Sequence, residues 1–206
     1  MAKVTQAHIE ARTKDILDAA MRMFARRGIE NTTMQEIARE ADLSAGAIYR
    51  YFPSKEELLR GVFADCTKQN RASFDRAAAD TVSPMQALRD IGRSAWSELN
   101  AEGARESAML SLETALAAAR KPEELGGPRR EMLTAQIDML GGLIRQAQAA
   151  GEIDRGVDAQ AVALTLLAAY LGSMLLALQL DERVDTYAVC EFMTDMVEHF
   201  APHTGQ

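Results

Sequence analysis

Among the side chains of the 23 residues 33–55, seven are candidates to meet a phosphate or a base edge: Thr33, Gln35, Ser44, Tyr49, Arg50, Tyr51 and Lys55. Among them stand Ala45, Gly46 and Ala47, which carry almost no side chain. No G-x-S-x-G elbow, P-loop or Gly-rich dinucleotide motif accompanies them. The chemistry on offer is therefore recognition, not bond-breaking. Arg50 is the strong donor, suited to guanine or phosphate. Gln35 suits a base edge or a phosphate, and the hydroxyls of Tyr49 and Tyr51 suit phosphate. Gly46 and the alanines permit close approach of a backbone to base edges, with their methyls against thymine. Thr33 and Lys55 stand at expected helix N-termini, where amides and the dipole favour an anion.

These residues need a scaffold, and the same stretch predicts it. Thr33 with Glu36 three residues on forms a capping box. Ile37, Ala38 and Ala41 make the inner face of a helix over about 33–41. Asp42-Leu43 is the turn, and Ser44 is placed to cap a second short helix over about 45–51. Ile48 points back inward, and Tyr51 does so in part. Two short helices meeting this closely leave room at Ala38 for little more than a methyl. The pattern is a helix-turn-helix, whose second helix fits the DNA major groove. A preceding helix over about 7–27 carries Ile16, Leu17, Ala20, Met23 and Phe24 as a stripe and stops at Gly28. Ser54 and Glu57 form a second capping box, opening a helix from Lys55 that is expected to break near Gly61.

The motif T-x-x-x-I-A-x-x-A-x-L-S-x-G-x-I-Y-x-Y-F-x-S-K-E-E-L, with its flanks from Ile16 to Leu59, resembles the DNA-binding head of the TetR family of bacterial regulators. One position departs: the turn usually held by glycine is Asp42, a residue that tolerates the left-handed conformation better than most. The resemblance implies that Thr33, Gly46, Tyr49, Tyr51 and Lys55 meet DNA. It further implies a C-terminal helical domain with a ligand cavity between about residues 80 and 180, linked to the head through the helix from Lys55.

Bulk properties are consistent with this. Apolar residues are mainly Ala, Leu and Met, and period-two Val/Ile runs are missing, so the chain reads as all-α. Net charge is −7, but residues 1–55 hold nine Lys/Arg against seven Asp/Glu, a net +2, and the rest carries −9. Phosphate contact is thereby confined to one end. Cys66 and Cys190 lack CxxC spacing and read as reduced thiols of a cytoplasmic, nucleoid-associated protein. The polar N-terminus is unlike a secretory signal. His199 and His203 share metal-ligand spacing, but Pro202 lies between them and no third ligand is evident, so neither metal nor cofactor is expected.

The body, residues 56–206, is expected to bind ligand and dimerise, while residues 1–55 form the head. Helices are expected over about 84–99, 104–120, 129–150, 158–180 and 185–200, with 121–128 as a loop. Trp96, Met109, Leu112, Leu116, Met139, Tyr170 and Met174 are candidates to line a cavity for an apolar or amphipathic effector, although each also suits ordinary core. Glu113, on the Met109/Leu116 side, is expected to be solvated. Residues 161–178 carry no charge. Acidic Asp158, Asp181 and Glu182 flank them, so a membrane span is not expected. An i+4 row of small residues, Ala161, Thr165, Ala169, Ser173 and Ala177, suggests a close helix contact. Together with Phe192 and Met196 of the last helix it marks a dimer interface; the competing reading is a helix buried within a monomer. The resemblance likewise implies pairing through the two C-terminal helices.

A single short recognition helix reads few base pairs. Two heads about 34 Å apart would enter successive major grooves of a palindromic duplex operator. The sequence thus predicts a homodimeric transcriptional regulator, a repressor released by a small-molecule effector. Two alternatives stand beside it: a DNA-binding regulator without such a ligand, and a helical protein-interaction module.

Overall fold

The computed structural model describes residues 5–80, 83–180 and 184–200. In chain order the elements are α1 (Gln6–Arg27), α2 (Met34–Glu40), α3 (Ala45–Ile48), α4 (Lys55–Asp80), α5 (Pro84–Glu98) and α6 (Ala104–Arg120). A π-helical turn, Pro122–Gly126, leads into α7 (Gly127–Ala149), followed by α8 (Ala159–Leu180) and α9 (Thr186–Glu198). No strand occurs among the described residues, and the all-α expectation holds.

The chain divides into two compact units. One comprises residues 1–66 and 109–132, the other 67–108 and 133–206. The first unit is built on the stripe of α1. Ile16, Ala19, Ala20 and Phe24 are buried with Ile37, Ala38 and Ile48 of the helix-turn-helix. Leu58, Leu59 and Val62 of α4 complete this core, with Ala118 of α6 and Leu125 of the π turn. The three-helix head therefore shares its core with residues well beyond position 55.

The expected break in α4 does not occur. At Gly61 a Cβ would lie 2.8 Å from Phe52 Cε1 and 3.0 Å from Leu17 Cδ2, so the glycine serves close packing within a continuous helix. The expected loop over 121–128 is instead the π turn followed directly by α7.

In the second unit, Met85 and Leu88 of α5 pack with Leu143, Ile144 and Ala147 of α7 and Val162 and Ala163 of α8. α9 lies against α5 and α8. A second cluster gathers Trp96, Cys190 and Met193, with Ala169, Tyr170 and Met196 packed against it. α8 is long and apolar enough to cross a membrane by length and composition, yet only 22% of that window is buried. Leu164 (55% exposed) and Leu176 (49%) leave an apolar surface uncovered within the chain.

Candidate nucleic-acid interface

The helix-turn-helix forms for local reasons. Thr33 is extended at φ −101°, its Oγ1 accepts from the Glu36 N–H at 3.3 Å, and Glu36 Oε2 accepts from the Thr33 N–H at 2.9 Å. That is the capping box in full. Glu36 also pairs with Arg27 of α1. The Thr33 backbone N–H first, then its hydroxyl and the Arg27 guanidinium, hold the Glu36 carboxyl below its ordinary value. Glu40 is lowered likewise, by Arg22 first and then Arg26. The arginines at the end of α1 are thereby engaged in fastening α2.

At the turn, Asp42 adopts φ 55°, the one positive φ outside glycine among the described residues. The Leu43 N–H donates to the Ala38 carbonyl at 2.8 Å and the Asp42 N–H to the Arg39 carbonyl at 3.2 Å. This pair of bonds is a Schellman termination with aspartate where glycine is usual. Ala38 and Ile48 are completely buried, which the close crossing requires.

Ser44 occupies the N-cap position of α3 as expected, but its hydroxyl makes no capping bond and is exposed. α3 is also shorter than expected. It ends at Ile48, and the chain tightens through Arg50 N–H to Ala47 carbonyl (3.2 Å) and Tyr51 N–H to Ile48 carbonyl (3.0 Å). Tyr49, Arg50 and Tyr51 thus stand on turns just after α3.

The outward face is Ser44, Ala45, Gly46, Tyr49 and Arg50, all exposed, with Ala47 half-buried. Nothing lies within 4 Å of where a Cβ at Gly46 would stand. Gln35 is exposed beside this face and its Nε2 donates to the Tyr49 hydroxyl at 3.4 Å, tying α2 to the end of α3. Tyr51 is half-buried and packs against the core of the head.

Lys55 is placed differently from a free phosphate contact. Its ammonium donates to the carbonyls of Ile29 (2.6 Å), Thr32 (3.0 Å) and Glu30 (3.4 Å). It gathers the α1–α2 loop from the start of α4. The same loop is held from its other side by Glu113 of α6, which is half-buried rather than solvated and whose Oε2 accepts from the Ile29 N–H at 2.7 Å. Gly28, at φ 82° and ψ 156°, ends α1 against that carboxylate; a Cβ there would meet Glu113 Oε1 at 2.9 Å. No local spacing in the sequence signals this support of the loop, whose partners lie 84 residues apart.

A family model described as "Bacterial regulatory proteins, tetR family" matches residues 16–62, which include the helix-turn-helix and Lys55 but not Glu113. Over residues 16–62 this chain is similar to the TetR family of bacterial regulatory proteins. Over 77 residues it is 39% identical to the transcriptional repressor KstR of Mycobacterium tuberculosis, covering 37% of this chain and 35% of that protein. The chain thus spans about a third of the length of the curated relatives it matches at such identity. A TetR-family transcriptional regulator from Rhodococcus sp., described as putative, superposes with TM-score 0.77 at 25% identity, covering 94% of this chain and all of that one. FadR of Bacillus subtilis, solved in complex with stearoyl-CoA, has the same fold, with TM-score 0.75 at 22% identity over 89% of this chain and 96% of that one.

The remaining sequence candidates lie in the helical regions beyond the head. Trp96 is buried and stacks edge-on against Tyr170, with ring centroids 5.5 Å apart and planes at 78°. Burial first, and the charge of Glu98 second, raise the Tyr170 pKa. Met139 and Met174 are half-buried in the same unit. Met109, Leu112 and Leu116 belong to the other unit, where Met109 and Leu116 are exposed and Leu112 is half-buried.

The i+4 row on α8 does not stay on one face. Each step of four advances 400°, a drift of about 40°, so 12 residues rotate the row by about 120°. Ala161 and Thr165 are exposed, Ala169 and Ala177 are half-buried, and Ser173 is buried, 5% exposed. On α9, Phe192 is 68% exposed while Met196 packs against the Trp96 cluster. A His199 ring nitrogen lies 2.8 Å from the Asp195 carbonyl, and His203 lies outside the described residues.

Proposed function

We propose that this protein is a homodimeric, sequence-specific DNA-binding regulator, a repressor that leaves a palindromic operator when a small molecule enters its helical body. The observation that carries this reading is the asymmetry of the helix-turn-helix. Its inner face is sealed by Ala38 and Ile48, while Ala45, Gly46, Tyr49 and Arg50 face outward without an internal role that would bury them. Residues 1–55 would carry the operator contacts, and the helices beyond would bind effector and partner. Within the outward set, Arg50 is assigned to a base or phosphate, Gln35, Ser44 and Thr33 to the adjoining backbone, and Ala45, Gly46 and Ala47 to close approach. Tyr49 and Tyr51 are assigned to phosphates, with Lys55 shaping the loop beside them.

Dimerisation is supported by the uncovered surface of α8 and α9. The stripe that follows the true helical period is Ala161, Leu164, Thr165, Ala168, Leu175 and Leu176, with Phe192 contributed by α9; all are exposed. Burying such a stripe against its two-fold copy gives an isologous interface. The effector is assigned to the Trp96, Met139, Tyr170 and Met174 group, whose apolar and aromatic character suits an apolar or amphipathic molecule. The stearoyl-CoA complex of the FadR relative supports an acyl compound as the first class to test.

The test is selection of bound duplexes from a random library by the purified protein near physiological salt. An inverted repeat with half-sites about one helical turn apart is the expected product. Enrichment of nothing by a folded dimer would overturn the reading in favour of a protein-interaction module. Release of the selected duplex by long-chain acyl-CoA then separates the ligand-responsive reading from a regulator without such a ligand.

A further inference from the structure

Arg129 is the most unusual charge among the described residues. It stands in the first turn of α7 and is buried, 9% exposed. Its guanidinium makes one hydrogen bond, Nη1 to Thr114 Oγ1 of α6 at 3.0 Å, and no ion pair among the described residues. Thr114, itself buried, uses its hydroxyl proton on the Ser111 carbonyl at 2.9 Å, so its oxygen is free to accept from Arg129. Both residues lie in the unit that carries the helix-turn-helix.

A guanidinium presents five donors and stays charged in proteins. Removing it from water is costly unless a counter-charge or a full set of acceptors replaces the hydration. One neutral hydroxyl does not replace it. Burial accordingly lowers the Arg129 pKa below its ordinary value. Among the described residues only the Trp96 indole nitrogen is both sealed from solvent and unpartnered, so the free donors of Arg129 keep an opening through which an acceptor can reach them.

We propose that Arg129 and Thr114 form a binding site for an oxyanion, a carboxylate or a phosphate group, within the unit that carries the DNA-binding head. The planar fork takes two oxygens of such a group side by side, which a point charge would not do. This goes beyond the effector reading, because Arg129 and Thr114 both belong to that unit and neither is part of the Trp96 group.

Thermal melting of the full-length protein tests it without DNA. The probes are inorganic pyrophosphate and octanoate, each against sodium chloride at equal ionic strength, with 1-octanol as the neutral counterpart of octanoate. The wild type is expected to gain a saturable rise of roughly 3–6 °C at ten times the dissociation constant. Pyrophosphate alone giving the rise assigns a phosphate; octanoate but not octanol assigns a carboxylate. Arg129→Met should abolish the rise, while Arg130→Gln, at the exposed neighbour, should keep it. Without any probe, Arg129→Met should melt no lower than the wild type, because an uncompensated buried charge is removed. The proposal is overturned by an absent rise in the wild type, by a rise that survives Arg129→Met, or by an Arg129→Met protein that melts well below the wild type without probe. If the site binds its anion but operator binding is indifferent to it, the site stands and has no part in release.

Discussion

Gly28→Ala probes the junction on which the head depends. At φ 82° and ψ 156° the residue sits in a region open essentially to glycine alone, and a side chain there costs about 1–3 kcal/mol in backbone strain. The new Cβ would also lie 2.9 Å from Glu113 Oε1 and 3.0 Å from Oε2. The carboxylate cannot yield without leaving the Ile29 N–H, which it holds at 2.7 Å. Losing that charge-assisted bond costs about 1.5–3 kcal/mol. Together the expected loss is roughly 3–5 kcal/mol, a large share of a typical domain's stability. Urea unfolding followed by far-UV circular dichroism measures it, and a fall in Tm of roughly 6–20 °C should accompany it. Glu113→Ala alone should show only the hydrogen-bond part. The double variant should cost less than the two singles combined, because the clash is gone once the carboxylate is removed. A Gly28→Ala protein within about 0.5 kcal/mol of the wild type would refute both the strain and the clash.

Gly46→Ala is the contrasting glycine: its Cβ meets open space, so stability should hold or rise by up to about 1 kcal/mol through helix propensity. Operator affinity should nevertheless fall, and unchanged affinity in a gel-shift titration would remove this face from the DNA. Lys55→Ala should lower Tm and weaken binding to all duplexes alike, with little change in salt slope, since its ammonium is spent on three carbonyls; a slope lowered by about one unit at unchanged Tm would make it a phosphate contact instead. Glu36 and Glu40 both have lowered pKa values. Their contribution is therefore complete above the ordinary value of 4.5 and is lost as pH falls through the lowered values. Melting curves between pH 3 and 6 should be flatter for a Glu36→Gln, Glu40→Gln variant; parallel curves would contradict the coupling. Leu176→Glu places a charge on the exposed stripe of α8, and light scattering should find a helical monomer with weakened operator binding; an intact dimer would move the interface elsewhere.

The sequence by itself determined what is settled within a few residues. The Thr33–Glu36 box, the turn at Asp42 and the methyl-sized space at Ala38 were all legible, because caps, turns and tight helix pairs are short-range chemistry with fixed spacing. The outward Ala45, Gly46, Tyr49 and Arg50 were legible for the same reason. Tertiary structure decided whatever depends on how helices rotate and meet. Ser173 turned inward because a row of fours drifts around a helix of 3.6 residues per turn, and only packing says which part of the drift is covered. Gly61 read as a break, since sequence does not show Phe52 and Leu17 closing over it. Lys55 read as a residue that meets a phosphate, and the fold adds that its ammonium is held by three carbonyls of the α1–α2 loop. Glu113 on Ile29 joins α6 to the α1–α2 loop, and Arg129 on Thr114 joins α7 to α6. Their partners are set by the approach of α6 to the loop and to α7, and no periodicity along one helix encodes that approach.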